Sequence, residues 1–200
     1  MADAAISPTG LNEAADAGSR RARSPIVRAA LVLIVTVPLT LLLASAFRRD
    51  PNAIVSPLID KSAPAFDLRT LGGGRLSLSR YRGHPVVLNF WASWCLACKQ
   101  EHPYLVAAWL NYGPKGVAFV GVVYQDTASN ARSFMKQRGG GWASVLDPEQ
   151  QTAIDYGVYG VPETFFIDRK GIIRYKTTGP VTPALLAHDI GTLLSAKRGT

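Results

Sequence analysis

Two cysteines, Cys95 and Cys98, are the residues whose type and spacing point most directly to chemistry, and the sequence contains no other cysteine. They follow a run of strand-forming residues, 86–91, and lie where a helical pattern begins. A cysteine at a helix start lies near the positive end of the peptide dipoles, which favours its thiolate. We therefore predict that Cys95 is the nucleophile. Cys98, nearly one turn later on the same side, can close a disulfide with it and is the predicted resolving thiol.

The same spacing also occurs as half of a zinc site, which usually has a second cysteine pair or a histidine pair. A metal site in this chain would have to use His102, four residues after Cys98, and a fourth ligand from elsewhere. The strand-to-helix context is instead typical of a redox pair. We expect a redox-active Cys95–Cys98 disulfide without a cofactor or a metal, and metal binding or two inert thiols remain as alternatives.

The pair has to be positioned by a strand that ends where a helix begins, and the surrounding pattern predicts both. Residues 86–91 are almost continuously apolar, as in a strand that is buried on both faces. A helix is predicted from Cys95 to about Tyr112, with a kink or a new start at Pro103. Residues 117–124 form a second buried strand, so strand, helix and strand make a parallel crossover unit.

The remaining segments of the domain alternate in the same way between strand and helix patterns. We predict a small hairpin of residues 65–68 and 76–78, a helix over 128–138, an antiparallel hairpin of residues 164–168 and 172–176, and a closing helix over 182–195. The predicted fold class is therefore α/β, with a mixed sheet flanked by helices.

A separate apolar segment, residues 29–47, contains no charged residue and would extend ~28 Å as a helix, enough to span a bilayer core. More arginines precede it (Arg20, Arg21, Arg23, Arg28) than follow it (Arg48, Arg49). The positive-inside rule then places the N-terminus in the cytoplasm and the rest of the chain outside it. A cleaved signal peptide is the alternative, because residues 44–46 have the small-x-small form of a cleavage site.

These segments give a predicted domain organisation. Residues 1–23 form a disordered cytoplasmic tail, 24–47 a transmembrane anchor, 48–60 a tether and 61–200 the globular domain, which follows one N-terminal transmembrane helix. The formal net charge of +8 owes part of its size to the arginines around the anchor. The other basic residues form no long run, so no nucleic-acid partner is implied.

A resemblance to known proteins rests on two stretches. Trp91-Ala92-Ser93-Trp94-Cys95-x-x-Cys98, together with the downstream Val161-Pro162-Glu163-Thr164, resembles the thioredoxin-like proteins, in which a cis-proline loop faces the redox pair. The longer stretch 157–168, followed by Gly171-Ile172-Ile173-Arg174-Tyr175, is similar to the membrane-anchored reductases of cytochrome c maturation, the CcmG/DsbE type. The resemblance extends from about Leu58 to the C-terminal helix.

The resemblance implies a dithiol at the inner membrane, on its periplasmic side, that reduces disulfides in apocytochrome c or its maturation partners. An integral membrane electron donor would recharge it. Two positions differ from the family pattern: Leu96-Ala97 replaces a pair that usually contains a proline, and Asn89 stands where thioredoxin has a buried aspartate that moves protons. An amide cannot transfer protons in that way, so another group must do so.

Glu101 and Glu163 are the candidate carboxylates for that role. Glu101 lies one turn beyond Cys98 on the same helical face, and the proline loop would bring Glu163 opposite the pair. A nearby carboxylate raises a thiol's pKa and makes the dithiol more reducing. The alternative for both is a solvated surface charge. Trp94, Val161 and Pro162 are the candidate substrate-binding residues, with Val161–Pro162 predicted to be a cis bond whose loop pairs with an extended substrate segment.

The sequence thus predicts a membrane-anchored, extracytoplasmic thiol-disulfide reductase. Three alternatives use the same residues: a general thiol reductase, a disulfide-forming oxidase with a high reduction potential, and a metallochaperone that binds a soft metal through its thiolates.

Overall fold

The computed structural model describes residues 25–47 and 56–196, and within 25–47 it describes the side chains at positions 26, 29–30 and 32–42. The chain divides into two compact units, residues 1–50 and 51–200. The predicted tail (1–23) and positions 48–55 of the predicted tether lie outside the described residues.

The N-terminal unit contains helix α1, Pro25–Phe47, with Pro38 inside it. Two of its threonine hydroxyls bond to the helix's own backbone: Thr36 Oγ1 donates to the Val32 carbonyl and Thr40 Oγ1 to the Thr36 carbonyl, both at 2.9 Å. Among the residues that the structure describes, no helix is long and apolar enough to cross a membrane. The transmembrane anchor stays a prediction.

The second unit is built on a mixed sheet. A small antiparallel hairpin comes first, with β1 at Asp67–Arg69 and β2 at Arg75–Ser77. The main strands are β3 (Val86–Trp91), β4 (Ala118–Val123), β5 (Ala143–Leu146), β6 (Glu163–Ile167) and β7 (Ile173–Thr178), in the order β5-β4-β3-β6-β7. Strands β3, β4 and β5 are parallel, whereas β6 is antiparallel to both β3 and β7. The predicted mixed sheet is confirmed.

Within residues 56–196 this unit has four α-helices: α2 (Leu96–Tyr112), α3 (Ala128–Arg138), α4 (Gln151–Asp155) and α5 (Pro183–Ser195). Helix α2 continues through Pro103 and does not start again there. Proline removes one backbone hydrogen bond from a helix. Burial of Leu105 and Ala108 in the adjoining turns offsets that loss, because both pack into the core.

The two faces of the sheet have separate cores. Leu105 of α2 and Ile190 of α5 pack with Val87 and Phe166 on one face. On the other face, Leu88, Phe90 and Phe165 pack with the first hairpin and with Tyr156 after α4. A third cluster lies at one end of the sheet and contains both cysteines. The predicted redox pair therefore lies where the carboxyl ends of β3 and β4 meet the start of β6.

The segment before β1 packs along the edge of β7. The Asp60 N–H donates to the Ile173 carbonyl at 2.8 Å, and the Ile173 N–H donates to the Lys61 carbonyl at 2.9 Å. Residues 56–60, which we placed in the tether, thus contact the folded domain. They cover an edge strand that would otherwise expose unpaired backbone groups.

Candidate active site

Cys95 caps the N-terminus of α2. Its backbone is extended (φ −73°, ψ 119°), and its Sγ accepts a hydrogen bond from the Cys98 N–H at 3.0 Å. The first N–H groups of a helix have no partner within the helix, so they can stabilise negative charge at this sulfur. The predicted position of Cys95 at the helix start is confirmed, and the geometry favours a thiolate there after reduction.

Cys95 and Cys98 form a disulfide with their Cα atoms 5.3 Å apart, inside the usual range. Both residues are buried, with 5% of Cys95 and 2% of Cys98 exposed. Their difference lies in position, because Cys98 is inside the first turn of α2 whereas Cys95 precedes it. The neighbours of Cys95 are open to solvent, since Trp94 is 56% exposed and Leu96 is 70% exposed.

The loop before β6 packs against Cys95. The Val161–Pro162 peptide bond is cis, as predicted, and the Val161 carbonyl oxygen lies 3.4 Å from the Cys95 Sγ. The Pro162 carbonyl accepts from the Gly179 N–H at 2.9 Å, which fixes the loop to the chain that follows β7. Within residues 56–196 the Val161 N–H has no hydrogen-bond partner. Backbone groups of Val161 are therefore placed next to the redox sulfur and remain available to an extended peptide.

Trp94 is held at the rim of the pair by the loop after β4. Its Nε1–H donates to the Gln125 carbonyl at 3.0 Å, while more than half of the residue stays exposed. Gln125 has a positive φ of 45° and bonds through its side chain to Tyr124 and Gln150. The indole ring is thus a fixed apolar surface beside Cys95, as a substrate contact requires.

Asp126 supports the loop that leads to Cys95, a role that the sequence did not reveal. Its Oδ2 accepts from the Ser93 N–H at 2.7 Å, and its Oδ1 accepts from the Thr127 N–H at 2.7 Å. Burial opposes ionisation, but the hydrogen bonds from Ser93 and Thr127 outweigh it and lower the pKa of Asp126. Asp126 follows Ser93 by 33 positions, so only the parallel pairing of β3 with β4 brings the two residues together.

Glu101 lies buried below the pair on α2, with 1% of the residue exposed. Its Oε1 accepts from the Asn89 amide at 2.9 Å, and its Oε2 accepts from the Val181 N–H at 2.8 Å. Asn89 donates to Thr164 Oγ1 as well, at 3.0 Å. Burial raises the pKa of Glu101 to about 7, against the opposing effect of the Val181 and Asn89 hydrogen bonds. The solvated-surface alternative is wrong for Glu101, and a carboxyl that titrates near neutral pH can exchange a proton with a thiol.

Glu163 is also buried, but on the other face of the sheet. Thr164 contributes to the Asn89–Glu101 network, and successive strand residues point to opposite faces, so Glu163 points away from it. Its Oε2 lies 2.6 Å from Lys176 Nζ, and none of the residue is exposed. Burial raises the pKa of Glu163, while the hydrogen bond and the charge of Lys176 oppose that rise. The surface-charge alternative is wrong for Glu163 too, and this carboxyl has a cation as its partner.

His102 packs between the helices and the glycine loop after α3. Its Nε2 lies 2.8 Å from the Gly139 carbonyl, and its ring contacts Phe134 and Trp142, with centroids 4.9 and 5.4 Å away. Burial lowers the pKa of His102. The metal-binding alternative would need this imidazole as a ligand, and in the structure its Nε2 is engaged by the backbone instead. Among the described residues, no three potential metal-ligating side chains form a cluster.

Comparison with known proteins points to one group. A family model described as the AhpC/TSA family matches residues 59–176. A protein from Allochromatium vinosum is 37% identical over 175 residues, which cover 86% of this chain and 95% of that protein. A protein from Escherichia coli strain K12 is 38% identical over 148 residues, which cover 72% of this chain and 78% of that protein. Both relatives carry the name thiol:disulfide interchange protein DsbE.

Solved structures agree with these relatives. A protein from Chlorobium tepidum whose crystal structure carries the DsbE name superimposes with a TM-score of 0.63 at 33% identity, over 67% of this chain and 96% of that one. The MTB protein dsbF, solved in mixed oxidized and reduced forms, gives a TM-score of 0.60 at 26% identity, over 64% of this chain and 94% of that one.

Proposed function

This chain belongs to the AhpC/TSA family and to the DsbE-type thiol:disulfide interchange proteins, and we propose that it is a membrane-anchored reductase acting outside the cytoplasm. Its proposed substrates are disulfides of apocytochrome c or of its maturation partners. As a member of this group it is a thiol-disulfide oxidoreductase. The observation that carries the reducing direction is Glu101, a buried carboxyl one turn from Cys98 with a pKa of about 7.

The reaction requires the reduced pair. The Cys95 thiolate attacks one sulfur of the substrate disulfide, forming a mixed disulfide and releasing the other substrate sulfur as a thiolate that takes up a proton. Cys98 then loses its proton and attacks the Cys95 Sγ. The Cys95–Cys98 disulfide forms, and the second substrate sulfur leaves as a thiolate. Two electrons pass from the pair to the substrate, and the chain returns to the oxidised form in which we describe it.

Glu101 is proposed to serve the second step. It follows Cys98 by three positions and is therefore on the same side of α2. An ionised Glu101 can accept the Cys98 proton as the mixed disulfide resolves. Its negative charge also disfavours thiolates in the reduced pair, and this makes the dithiol a better electron donor. The Asn89 amide holds the carboxylate in place for both effects.

The substrate is proposed to bind in an extended conformation beside Val161 and Pro162. The unpartnered Val161 N–H and the nearby carbonyl support this assignment, because strand addition uses such backbone groups. The exposed ring of Trp94 would contact apolar side chains of the substrate. An integral membrane electron carrier is the proposed donor, since an extracytoplasmic compartment is oxidising and supplies no reductant of its own.

The decisive experiment traps the mixed disulfide in cells. Cys98→Ser leaves the Cys95 nucleophile but removes the thiol that resolves the complex, so covalent adducts with apocytochrome c or maturation proteins should accumulate on non-reducing gels. The double variant Cys95→Ser/Cys98→Ser is the control and should give no adducts. Adducts with many unrelated secreted proteins instead would identify a general thiol reductase.

The reduction potential of the pair tests the direction of the reaction. A reductase should have a potential below about −200 mV, whereas strongly disulfide-forming proteins reach about −120 mV. Equilibration of the purified chain with glutathione buffers measures this value. A reduction potential near about −120 mV would identify an oxidase and overturn the proposal.

A further inference from the structure

Lys176 and Glu163 form a buried ion pair that the reaction steps do not use. The Lys176 side chain is 10% exposed and that of Glu163 is 0% exposed, with 2.6 Å between Nζ and Oε2. The two residues lie on adjacent antiparallel strands, since Glu163 pairs with Thr178 and Lys176 pairs with Phe165. They are diagonal neighbours on one face of the sheet. Two charges removed from water in this way need a structural or functional reason, because their desolvation is costly.

Lys176 contacts both ends of the loop that carries the cis-proline. At the far end its Nζ forms the ion pair with Glu163, and at the near end its Nζ donates to the Gly157 carbonyl at 3.3 Å. Between these contacts its Nζ lies 5.9 Å from the centre of the Tyr159 ring. The ring of Phe165 lies below the ammonium, at 5.1 Å. One side chain therefore holds the start and the end of residues 157–163.

This loop is the segment that meets Cys95. The Val161 carbonyl is 3.4 Å from the Cys95 Sγ, and Val161 lies between the two points of the loop that Lys176 contacts. We propose that Lys176 is a positioning residue, whose ion pair with Glu163 fixes the 157–163 loop against the redox sulfur and thereby sets how substrate disulfides dock. The docking part of this inference rests on the proposed role of Val161 in substrate binding.

The ion pair also changes the electrostatic effect that Glu163 is expected to have on the redox pair. A lone carboxylate near the pair would repel a thiolate, whereas Glu163 next to the Lys176 ammonium forms a unit that is close to neutral. Glu163→Gln would leave the ammonium unopposed, favour the thiolate and make the pair less reducing. Glu163→Gln/Lys176→Met removes both charges together and should restore a potential close to that of the unmodified chain.

The positioning role is tested by hydrogen exchange of the full-length chain in detergent. In Lys176→Met, the amides of Gly157 and Val158, which donate to helix α4, should exchange at least about tenfold faster, while those of β4 change less than about twofold. Lys176→Arg keeps the positive charge and should recover most of the protection. Lys170→Met, the same change at an exposed lysine in the β6–β7 turn, is the matched control and should change neither region.

Three results would overturn the positioning role: unchanged loop exchange in Lys176→Met, equal acceleration in the loop and in β4, or no recovery in Lys176→Arg. If Lys176→Met does not fold, Glu163→Gln/Lys176→Met replaces it, because that variant leaves no unpaired buried charge. Loop protection like that of the unmodified chain in this double variant would also overturn the proposal.

Steady-state kinetics with a disulfide-bonded peptide separate this inference from the proposed function. Lys176→Met should raise KM for the peptide by about tenfold, because an unfixed loop binds less well. Alkylation of reduced Cys95 by iodoacetamide, which needs no docking, should change less than about twofold. Faster loop exchange with an unchanged peptide KM would keep Lys176 as a positioning residue and overturn the substrate contact assigned to Val161.

Discussion

The buried polar network below the redox pair is made by two residues, Asn89 and Glu101, rather than by one. The amide at position 89 cannot carry a proton, but it donates to Glu101 Oε1 and to Thr164 Oγ1 from the middle of β3. The carboxyl is supplied by α2, and its second oxygen is satisfied by the Val181 N–H. Burial then brings its pKa to about 7. The buried carboxyl of this network thus comes from α2 rather than from β3.

Glu101→Gln should reduce the pH dependence of stability. The folded-state pKa of about 7 lies above the carboxyl's usual value of 4.5, so the stabilising contribution is complete below pH 4.5 and is lost as the pH rises to 7. The loss for Glu101 amounts to roughly 3 kcal/mol. Urea unfolding of the oxidised chain at pH 5 and pH 8 measures it. Glu149→Gln, at an exposed position, is the control and should lose as much stability between pH 5 and pH 8 as the unmodified chain does. An equal loss of stability in Glu101→Gln would contradict the raised pKa of Glu101.

The same substitution should make the pair less reducing. Removal of the Glu101 carboxylate removes a negative charge that disfavours thiolates, so the thiol pKa values fall and the reduction potential rises. A shift of one pKa unit corresponds to about 1.4 kcal/mol, and for a two-electron couple about 1.4 kcal/mol corresponds to about 30 mV. Equilibration with glutathione buffers and titration of the thiolate absorbance measure the two quantities. A potential and thiol pKa values like those of the unmodified chain would remove the electrostatic role of Glu101.

Alkylation should distinguish the two thiols. Cys95 precedes α2 and receives the Cys98 N–H, so its thiolate is stabilised by the helix start, whereas Cys98 lies inside the first turn. In the reduced chain near neutral pH, iodoacetamide should label Cys95 first. Peptide mass mapping after brief labelling identifies the site. Preferential labelling of Cys98 would reverse the assignment of nucleophile and resolving thiol.

At the scale of elements, β4 supports the pair through close packing over a glycine. Gly121 pairs with Asn89 on β3 and with Ser144 on β5. A Cβ at Gly121 would lie 2.6 Å from both Trp91 Nε1 and Ser144 Oγ. Trp91 packs in the same cluster as the two cysteines. The glycine therefore leaves room for the Trp91 side chain, which packs in the cluster that contains the redox pair.

Gly121→Ala should destabilise the domain by about 1–3 kcal/mol, because an added methyl group overpacks a buried site. Gly191→Ala is the matched comparison in α5, where an added Cβ would have no neighbour within 4 Å. That change should stabilise the domain by about 0.5–1 kcal/mol, since alanine favours a helix more than glycine does. Thermal or urea unfolding measures both. A change in the free energy of unfolding with the same sign in both variants would contradict this account of β4.

At the scale of the whole molecule, topology brings the separate parts of the site to one end of the sheet. The parallel strands β3 and β4 end there, so the loops with Ser93 and Asp126 meet. Strand β6 is antiparallel to β3 and starts at the same end, where Glu163 pairs with Phe90. This pairing places the Val161–Pro162 loop over the start of α2.

The location of this domain is predicted from the charges around residues 29–47. More arginines precede the segment than follow it, so the domain should lie outside the cytoplasm. A protease added to intact spheroplasts should digest residues 60–200, while a cytoplasmic marker protein stays intact. Protection of the domain until the membrane is lysed would contradict this orientation.

The sequence alone determined the parts of the site that depend on local patterns. An apolar run followed by a helical period gave residues 86–91 as a strand and placed Cys95 at a helix start, and the structure confirms both. The helix at Ala128–Arg138 was also predicted with its observed ends, because the following glycines interrupt the pattern. Hydrophobic periodicity and the position of a proline depend only on residues that are close in the chain. The sequence is therefore sufficient to identify them.

Only the tertiary structure decided which residues of different elements contact one another and which of them are buried. Strand β5 is short and lacks a clear alternation, and it exists because it pairs with β4. The pKa of Glu101 depends on burial between α2, β3 and the chain before α5, and the partner of Glu163 lies on another strand. Asp126 reaches Ser93 across 33 positions. Burial and charge pairing depend on distances in space between residues that are remote in the chain, and no local pattern encodes those distances.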